Sequence, residues 1–231
     1  MIRVSTAFDR PDPGVTEQLS RFSAATIHEA QGRLGALDST LKPVDHRMSL
    51  CGPAFTVECA PRDNLMLQTA IAYARPGDVI VVSAGAYAEA GSFGDVLANA
   101  CKAKGLGGLI TDTGVRDTED LRRLGFPVFS HSVCMKGTVK ETVGPMCEPV
   151  TVGGQLVRPG DVVRADADGV VVVRREDAAS VVAASQQRVD TETEYIAAYR
   201  AGKSVTEICG LTPLLAAKGL IVDEGDQDTA G

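Results

Sequence analysis

The sequence predicts a single α/β domain with a layered β/β/α arrangement, a central parallel-rich sheet and a long C-terminal helix. Apolar strand-like and helical segments alternate between residues 79 and 129. Short Val-rich strands separated by glycine turns follow between residues 150 and 174, and a helical stretch covers residues 176–201, before Gly202. Alternating strands and helices are typical of βαβ units with right-handed crossovers, and 231 residues are enough for one domain.

The first third of the chain contains helices that precede the sheet. Helical periodicity covers residues 15–22. A second helical segment starts at Ser23 and is ended by Gly32 and Gly35. Alternating apolar and polar residues predict a half-buried strand over 53–59, and helical periodicity follows over 64–73.

The middle of the chain carries the βαβ pattern. Its predicted elements are strand 79–83, loop 84–94, helix 95–104, strand 109–111, helix 119–124 and strand 127–129. The tetrapeptide Pro-Gly-Asp-Val occurs at 76–79 and again at 159–162, each time ahead of a predicted strand. The repetition suggests that the same kind of turn precedes both strands. We expect the whole chain, 1–231, to form one domain with a core over about 15–205 and a mobile acidic tail over 223–231.

Composition and charge exclude several classes of protein. The net charge is −7 and no Lys/Arg run is longer than two residues, which argues against a nucleic-acid partner. No apolar run approaches the roughly 20 residues that span a bilayer, so no membrane partner is expected. The first residues lack the apolar centre of a signal peptide, and we expect a cytoplasmic protein.

The six cysteines and three histidines are too scattered to form a local metal cluster, and no C-x-x-C pair occurs. Reduced, mostly buried thiols are therefore expected. The absence of Trp and the low aromatic content imply a core of Val, Leu, Ile and Ala.

The strongest candidate site comes from residues that follow two strands of the predicted sheet. Gly94-Asp95 lies after strand 79–83, and Arg116-Asp117 lies after strand 109–111; one crossover helix and one strand fill the interval. Ligands of open α/β sheets bind beyond the carboxyl ends of the strands. The N–H groups at the start of the helix can bind a carboxylate, Arg116 can bind it with two hydrogen bonds, and the two Asp residues suit Mg²⁺ or Mn²⁺.

Structural explanations of the same residues remain open at this level. Asp95 could be a helix cap or a partner of the helix dipole, and Arg116-Asp117 could be a salt bridge or part of a turn. Asn64, between a turn and a helix, could also be a cap, and Lys140 could be an ordinary solvated lysine.

The motif G-x-x-x-D-x20-R-D, formed by Gly91, Asp95, Arg116 and Asp117, resembles that of the RraA-like family of class II pyruvate aldolases. These include 4-hydroxy-4-methyl-2-oxoglutarate and 4-carboxy-4-hydroxy-2-oxoadipate aldolases. The resemblance covers about residues 15–205. Five further segments match in the same order: 63–64, 76–79, 126–129, 137–141 and 159–170.

The resemblance implies a metal site. Asp117 would bind the divalent metal, Mg²⁺ or Mn²⁺, and Asp95 would act on it through bound water. A glutamate from the C-terminal helix of a neighbouring subunit would complete the shell through water, with Glu192 as the preferred match and Glu194 as the alternative. Family members form trimers and hexamers with sites between subunits, so a homo-oligomer is implied.

The resemblance also implies a substrate site and a reaction. Gly94, Asp95, Val96 and Leu97, with Arg116, would hold a pyruvate-like unit, and Asn64 and Lys140 would contact the rest of the substrate. Cleavage of C3–C4 in a 4-hydroxy-2-oxo acid leaves pyruvate enolate, which the metal and Arg116 would stabilise, while a water oriented by Asp95 is the candidate base.

The sequence leaves three related functions. The first is an aldolase of aromatic-compound degradation that acts on substrates with carboxylates at both ends, with oxaloacetate decarboxylation as a side activity. The second is a dedicated oxaloacetate decarboxylase. The third is a regulator like the ribonuclease-inhibiting RraA proteins, which have lost the first acidic residue of the motif; Asp95 is present here.

Overall fold

A computed structural model of the protein describes residues 4–220, so the predicted mobile tail over 223–231 lies outside the described residues. The chain divides after Ser185 into two compact units. The long helix that contains the division point runs from Ala178 to Arg200. That the whole chain is one domain stays a prediction.

The helices of the described residues have the following bounds: α1 Pro13–Ser20, α2 Ala24–Ala30, α3 Leu65–Tyr73, α4 Asp95–Ala103, α5 Thr118–Leu124, α6 Ala178–Arg200, α7 Val205–Ile208 and α8 Leu211–Ala217. The strands are β1 Lys42–Pro43, β2 Leu50–Glu58, β3 Val79–Ser83, β4 Gly91–Phe93, β5 Gly108–Val115, β6 Val128–Val133, β7 Val150–Val152, β8 Gln155–Val157, β9 Val162–Ala165 and β10 Val170–Val173. Among residues 4–220, no helix combines the length and the apolar character needed to cross a lipid bilayer.

Eight of the described strands form one mixed sheet in the order β1-β6-β5-β3-β2-β9-β10, with β4 beside β5. The central pairs β2–β3, β3–β5 and β5–β6 are parallel, and β4 also runs parallel to β5. The outer pairs β1–β6, β2–β9 and β9–β10 are antiparallel, and β7 and β8 form a separate hairpin. The predicted fold class, α/β with a parallel-rich sheet and a long C-terminal helix, is confirmed.

The core is built from the central strands, which are buried along their length. Val79, Ile80, Leu109 and Ile110 are inaccessible to solvent, as is Val128. Burial on both faces is typical of parallel strands, and it explains their continuous apolar runs. The expected core of aliphatic residues is present, although three phenylalanines, 55, 93 and 129, are also fully buried.

The prediction that β5 ends at Thr111 was wrong, because the strand continues to Val115. The segment Thr111–Gly114 is polar enough to suggest a loop, yet all of it is buried. Asp112 accepts hydrogen bonds from the backbone N–H groups of Ala84 and Ala86 at 2.6 and 2.9 Å. Tertiary hydrogen bonds therefore allow polar residues to remain in a buried strand.

Several short elements had no signal in the sequence. The segment Gly91–Phe93, predicted as part of a loop, is strand β4, which pairs with the last residues of β5. The two-residue strand β1 and the short helices α7 and α8 were also missed.

The two Pro-Gly-Asp-Val segments form equivalent turns, as their repetition suggested. Gly77 and Gly160 both have φ of 85°, in the region that favours glycine. The carboxylates of Asp78 and Asp161 each accept a hydrogen bond from the backbone N–H three residues earlier, at 2.7 and 2.9 Å. The same turn therefore precedes β3 and β9.

Candidate active site

Strands β4 and β5 bring the two halves of the motif together. Gly91 lies opposite Gly114 and Phe93 opposite Val115 in a parallel pair. The backbone N–H of Arg116 donates to the carbonyl oxygen of Phe93 at 2.9 Å, which extends the pairing to the end of both strands. As predicted, a helix and a strand, α4 and β5, fill the interval between the two halves.

The glycines of the motif permit a close approach between these segments. A Cβ atom on Gly91 would lie 2.3 Å from the carbonyl oxygen of Cys134 and 3.2 Å from the side chain of Arg116. A Cβ atom on Gly94 would lie only 2.2 Å from Oδ2 of Asp117. Any larger residue at either position would displace the backbone or the charged side chains of the motif.

Asp117 adopts a left-handed backbone conformation, with φ of 58° and ψ of 40°, at the N-cap of α5. Its side chain makes no capping hydrogen bond to α5; instead Oδ2 accepts a hydrogen bond from the N–H of Asp95 at 3.3 Å. Asp tolerates this conformation better than most residues, and such backbone strain is concentrated at functional sites. The carboxylate of Asp117 thus lies at the start of α4.

Arg116 and Asp117 form an ion pair, but the pair does not by itself explain their position. The distance from Nε to Oδ2 is 3.5 Å, and the side chains are 48% and 33% exposed. Exposed pairs of this kind contribute about 0–1 kcal/mol to stability. Asp95 is the first residue of α4 and Gly94 is its N-cap, so Asp95 is not the cap residue, although its place in the first turn fits the alternative of a partner for the helix dipole.

Asn64 is the residue before α3, yet its side chain makes no capping hydrogen bond. Its Nδ2 group donates to the carbonyl oxygen of Ser92 at 2.9 Å, and its Oδ1 atom accepts from Nε2 of Gln68 at 3.1 Å. Asn64 therefore occupies the N-cap position of α3, as the structural interpretation expected, but its amide does not cap the helix and instead connects α3 to β4 inside the fold.

One pocket of about 380 Å³ contains all the predicted site residues of the first unit. These residues are Asn64, Gly94, Asp95, Val96, Leu97, Arg116, Asp117 and Lys140. Five lining residues were not predicted as site residues: Gln68, Gly91, Ser92, Gly137 and Thr138. Gln68 lies one helical turn after Asn64, and Gly137 and Thr138 precede Lys140 in the family-like segment, so their positions carried a weak signal.

Glu192 and Glu194 lie in the second unit, on α6. Glu192 forms an ion pair with Arg188, with Nε and Oε1 2.9 Å apart. The assignment of either glutamate to the site of a neighbouring subunit stays a prediction.

A larger pocket of about 700 Å³ lies elsewhere in the first unit, lined by parts of α2, β10 and the start of α6. It contains none of the predicted site residues, and its two arginines, Arg33 and Arg174, are paired with Glu29 and Glu176. We consider the smaller pocket the active-site candidate because acidic and cationic side chains converge there with a helix N-terminus.

The smaller pocket has carboxylates of the kind that a divalent cation such as Mg²⁺ would use as ligands. Asp95 and Asp117 supply hard oxygen atoms, and the missing side chain of Gly94 leaves the space beside Oδ2 of Asp117 open. Within residues 4–220, no group of three or more His, Cys, Asp or Glu side chains is placed to hold a metal. Mg²⁺ commonly binds one or two carboxylates and retains water, so two carboxylates are compatible with it.

All six cysteines are free, which is consistent with the expected reduced thiols. The expectation that most of them are buried was wrong, because only Cys59 and Cys101 are buried, three are partly exposed and Cys209 is exposed. Burial raises the pKa of both Cys59 and Cys101 to about 12, so neither thiol is reactive at neutral pH.

Comparison with known proteins identifies relatives across most of the chain. A model of the RraA-like family, described as Aldolase/RraA, matches residues 17–172, which is more than half of the chain. A protein of Halalkalibacterium halodurans, provisionally named 4-hydroxy-4-methyl-2-oxoglutarate aldolase, is 33% identical over 176 residues, 76% of this chain and 84% of the relative.

Solved structures give the same fold. RraAS2 of Streptomyces coelicolor, described as an unusual member of the RNase ES inhibitor RraA family, superposes with a TM-score of 0.72 and 31% identity. The match covers 83% of this chain and 100% of RraAS2. A Pseudomonas syringae protein superposes with a TM-score of 0.75 over 87% of this chain and 99% of its own, but at 24% identity this likeness concerns the fold alone.

Proposed function

This chain belongs to the RraA-like (Aldolase/RraA) family, and from that premise we propose that it is a divalent-metal-dependent class II aldolase. Its proposed substrates are 4-hydroxy-2-oxo acids with carboxylates at both ends, namely 4-carboxy-4-hydroxy-2-oxoadipate and 4-hydroxy-4-methyl-2-oxoglutarate. Cleavage would release pyruvate together with oxaloacetate or a second pyruvate. The observation that carries the proposal is the pocket in which Asp95, Asp117, Arg116 and Lys140 converge beside the N-terminus of α4.

Binding of the oxo-acid end follows from the groups at the start of α4. The first N–H groups of an α-helix have no acceptor within the helix, and the helix dipole favours an anion there. The N–H of Asp95 is already used by Asp117. We therefore assign the substrate's C1 carboxylate to the N–H groups of Val96 and Leu97 and to the guanidinium of Arg116.

Arg116 has a second role during cleavage. Breaking the C3–C4 bond leaves the electron pair on C3, and conjugation transfers the negative charge to the C2 oxygen as an enolate. A fixed guanidinium stabilises such developing charge more effectively than mobile water does. Asp95 would orient the water that accepts the proton of the C4 hydroxyl group.

A divalent metal held by Asp117 and Asp95 would act as a Lewis acid on the same oxo acid. Mg²⁺ and Mn²⁺ are the proposed ions, because carboxylate oxygens are their preferred ligands. Glu192 of a neighbouring subunit, or Glu194, is the proposed further carboxylate, and a homotrimer or homohexamer is the proposed assembly.

At the other end of the substrate we place Lys140 and Asn64. Lys140 is exposed and lines the pocket, so its ammonium group can pair with a distal carboxylate. Oxaloacetate also has carboxylates at both ends, and losing CO₂ from it yields the same enolate. Oxaloacetate decarboxylation is therefore the expected side activity.

The test is release of pyruvate, followed with lactate dehydrogenase and NADH. Metal-free protein would be restored with Mg²⁺ or Mn²⁺ and given the two hydroxy-oxo acids and oxaloacetate in parallel. We expect metal-dependent pyruvate from all three, with the hydroxy-oxo acids cleaved faster. Pyruvate from oxaloacetate alone would indicate a decarboxylase instead, and none from any substrate would favour an RraA-type regulator.

A pair of variants tests the assignment of the site. Asp117→Asn removes a carboxylate from the pocket while keeping its size, and we expect at least a hundredfold loss of metal-dependent turnover. Asp120→Asn is the control, because Asp120 lies in the first turn of α5 and is paired with Arg123. Near-full activity of Asp117→Asn, or an equal loss in Asp120→Asn, would contradict the assignment.

A further inference from the structure

The buried carboxylate of Asp63 contacts the segment that carries Lys140, and the chemistry above gives it no role. Asp63 is only 3% exposed and is not among the residues that line the pocket. Its Oδ2 atom accepts hydrogen bonds from the N–H groups of Glu141 at 2.8 Å and Thr142 at 2.7 Å. Its Oδ1 atom accepts one from Leu65, in the first turn of α3, at 2.8 Å.

The three hydrogen bonds favour the charged form of Asp63. Burial by itself would raise the pKa of this carboxyl, but the N–H groups of Leu65, Glu141 and Thr142 outweigh it and hold the pKa below its usual value. Asp63 therefore remains ionised at neutral pH, and ionised acceptors form the stronger hydrogen bonds.

Backbone hydrogen bonds complete the connection on the other side of Lys140. Val139 donates to the carbonyl oxygen of Arg62 at 2.9 Å, and its own carbonyl accepts from Asn64 at 3.1 Å. Through these two hydrogen bonds, Val139 and Asp63 form an isolated parallel β-bridge. Both neighbours of Lys140 in the sequence, Val139 and Glu141, are thus fixed to the segment before α3.

This connection matters because the segment has little regular structure of its own. Apart from isolated bridges at Val139 and Met146, residues 134–149 lie in neither helix nor strand. Exposed segments of this kind have many accessible conformations, and restricting them before the ligand arrives raises affinity. Asp63 also fixes the start of α3, where Asn64 lines the pocket.

We propose that Asp63 is a positioning residue that sets recognition of the distal carboxylate of the substrate, by holding the Lys140 segment and Asn64 in one arrangement. The proposal rests on the proposed function for the identity of the substrate, but the connection between Asp63 and the segment can be measured without it. Substrates with a distal carboxylate are the class whose binding Asp63 controls.

The variant Asp63→Asn keeps the size of the side chain but replaces one acceptor oxygen by a donor. Amide hydrogen exchange of residues 134–149 should become at least tenfold faster. Asp161→Asn is the matched control, because Asp161 is 2% exposed and accepts two backbone N–H groups outside this pocket. Unchanged exchange in Asp63→Asn, or equal acceleration in Asp161→Asn, would overturn the positioning role whatever the enzyme catalyses.

Kinetics test the role in recognition. KM for 4-carboxy-4-hydroxy-2-oxoadipate should rise about tenfold in Asp63→Asn while kcat changes less than about twofold, because hydrogen bonds to a charged acceptor are lost away from the reacting atoms. Inhibition by pyruvate, which has no distal carboxylate, should be unchanged.

A double-mutant cycle separates positioning from a general defect. If Asp63 acts through Lys140, adding Asp63→Asn to Lys140→Ala should raise KM less than twofold further. A full tenfold rise in that background would overturn the recognition role. If wild-type protein releases no pyruvate, the proposed function fails together with the recognition role, and the exchange experiment alone decides the positioning role.

Discussion

Replacing Gly94 by alanine should impair the active-site candidate through steric contacts, of which the one with the carboxylate of Asp117 is by far the closest. The new Cβ atom would lie 2.2 Å from Oδ2 of Asp117, whereas ordinary contacts begin at 3.4 Å. The carboxylate must therefore move by about 1.2 Å, given those two distances. Gly94 has φ of −152° and ψ of −165°, an extended conformation that any residue adopts, so backbone strain contributes nothing.

The expected size of the effect follows from this displacement. A misplacement of about 1 Å in a catalytic group can reduce a rate about 100-fold. We expect a loss of that order in metal-dependent pyruvate release for Gly94→Ala, with a melting temperature within a few degrees of wild type. The loss should appear in kcat/KM for every oxo acid, since Asp117 is assigned to the part of the site that all of them share.

Gly137→Ala is the matched control for this experiment. Gly137 lines the same pocket, but a Cβ atom there would meet no atom within 4 Å. Its activity should stay within about twofold of wild type, the range expected of an unstrained surface change. The reasoning is refuted if Gly94→Ala keeps more than a third of wild-type activity, or if Gly137→Ala loses as much as Gly94→Ala.

Two further predictions concern reactivity and pH dependence. In the folded protein at pH 8, an aromatic disulfide reagent should label the exposed Cys209 rapidly. Cys59 and Cys101 should be labelled only after unfolding, because burial raises the pKa of both thiols to about 12. Equal labelling rates for the three cysteines, measured by mass spectrometry, would contradict this. The loss in free energy of unfolding caused by Asp63→Asn should be greatest at pH 7 and should shrink below about pH 4. Folding lowers the pKa of the Asp63 carboxyl, so the carboxylate stabilises the protein at pH values above its unfolded pKa. That contribution is lost as the pH falls through the folded pKa. Denaturant titrations of both proteins at pH 7 and pH 3 measure the difference, and a constant loss would be the contrary result.

Strands and helices with a clear periodicity could be predicted from the sequence. Strand β3 has the predicted bounds, and α4 ends within one residue of its prediction. The polar end of β5 could not be predicted, because Asp112 is buried only where the N–H groups of Ala84 and Ala86 satisfy it. Partners 26 and 28 residues away leave no local pattern.

The candidate site divides in the same way. Asp95, Arg116 and Asp117 could be named in advance as candidates, because their spacing places them at strand ends of one sheet and their motif resembles that of the RraA-like family. The hydrogen-bond partners of the site's side chains could not be predicted from the sequence. Asn64 has the sequence context of a cap, yet its amide donates to Ser92, which is distant in sequence.

The sequence by itself determined the fold class and the order of the central elements, because periodicity and turn residues are local properties. The charged groups of the candidate site were named from the sequence only with the help of the resemblance to the RraA-like family, and their roles stay predictions. Only the tertiary structure decided why Gly91 and Gly94 must be glycine, where the carboxylate of Asp117 lies and what Asp63 holds in place. These depend on distances of 2.2 to 3.3 Å between segments that are remote in the chain, and such distances arise only when the strands have paired and the core has closed around them.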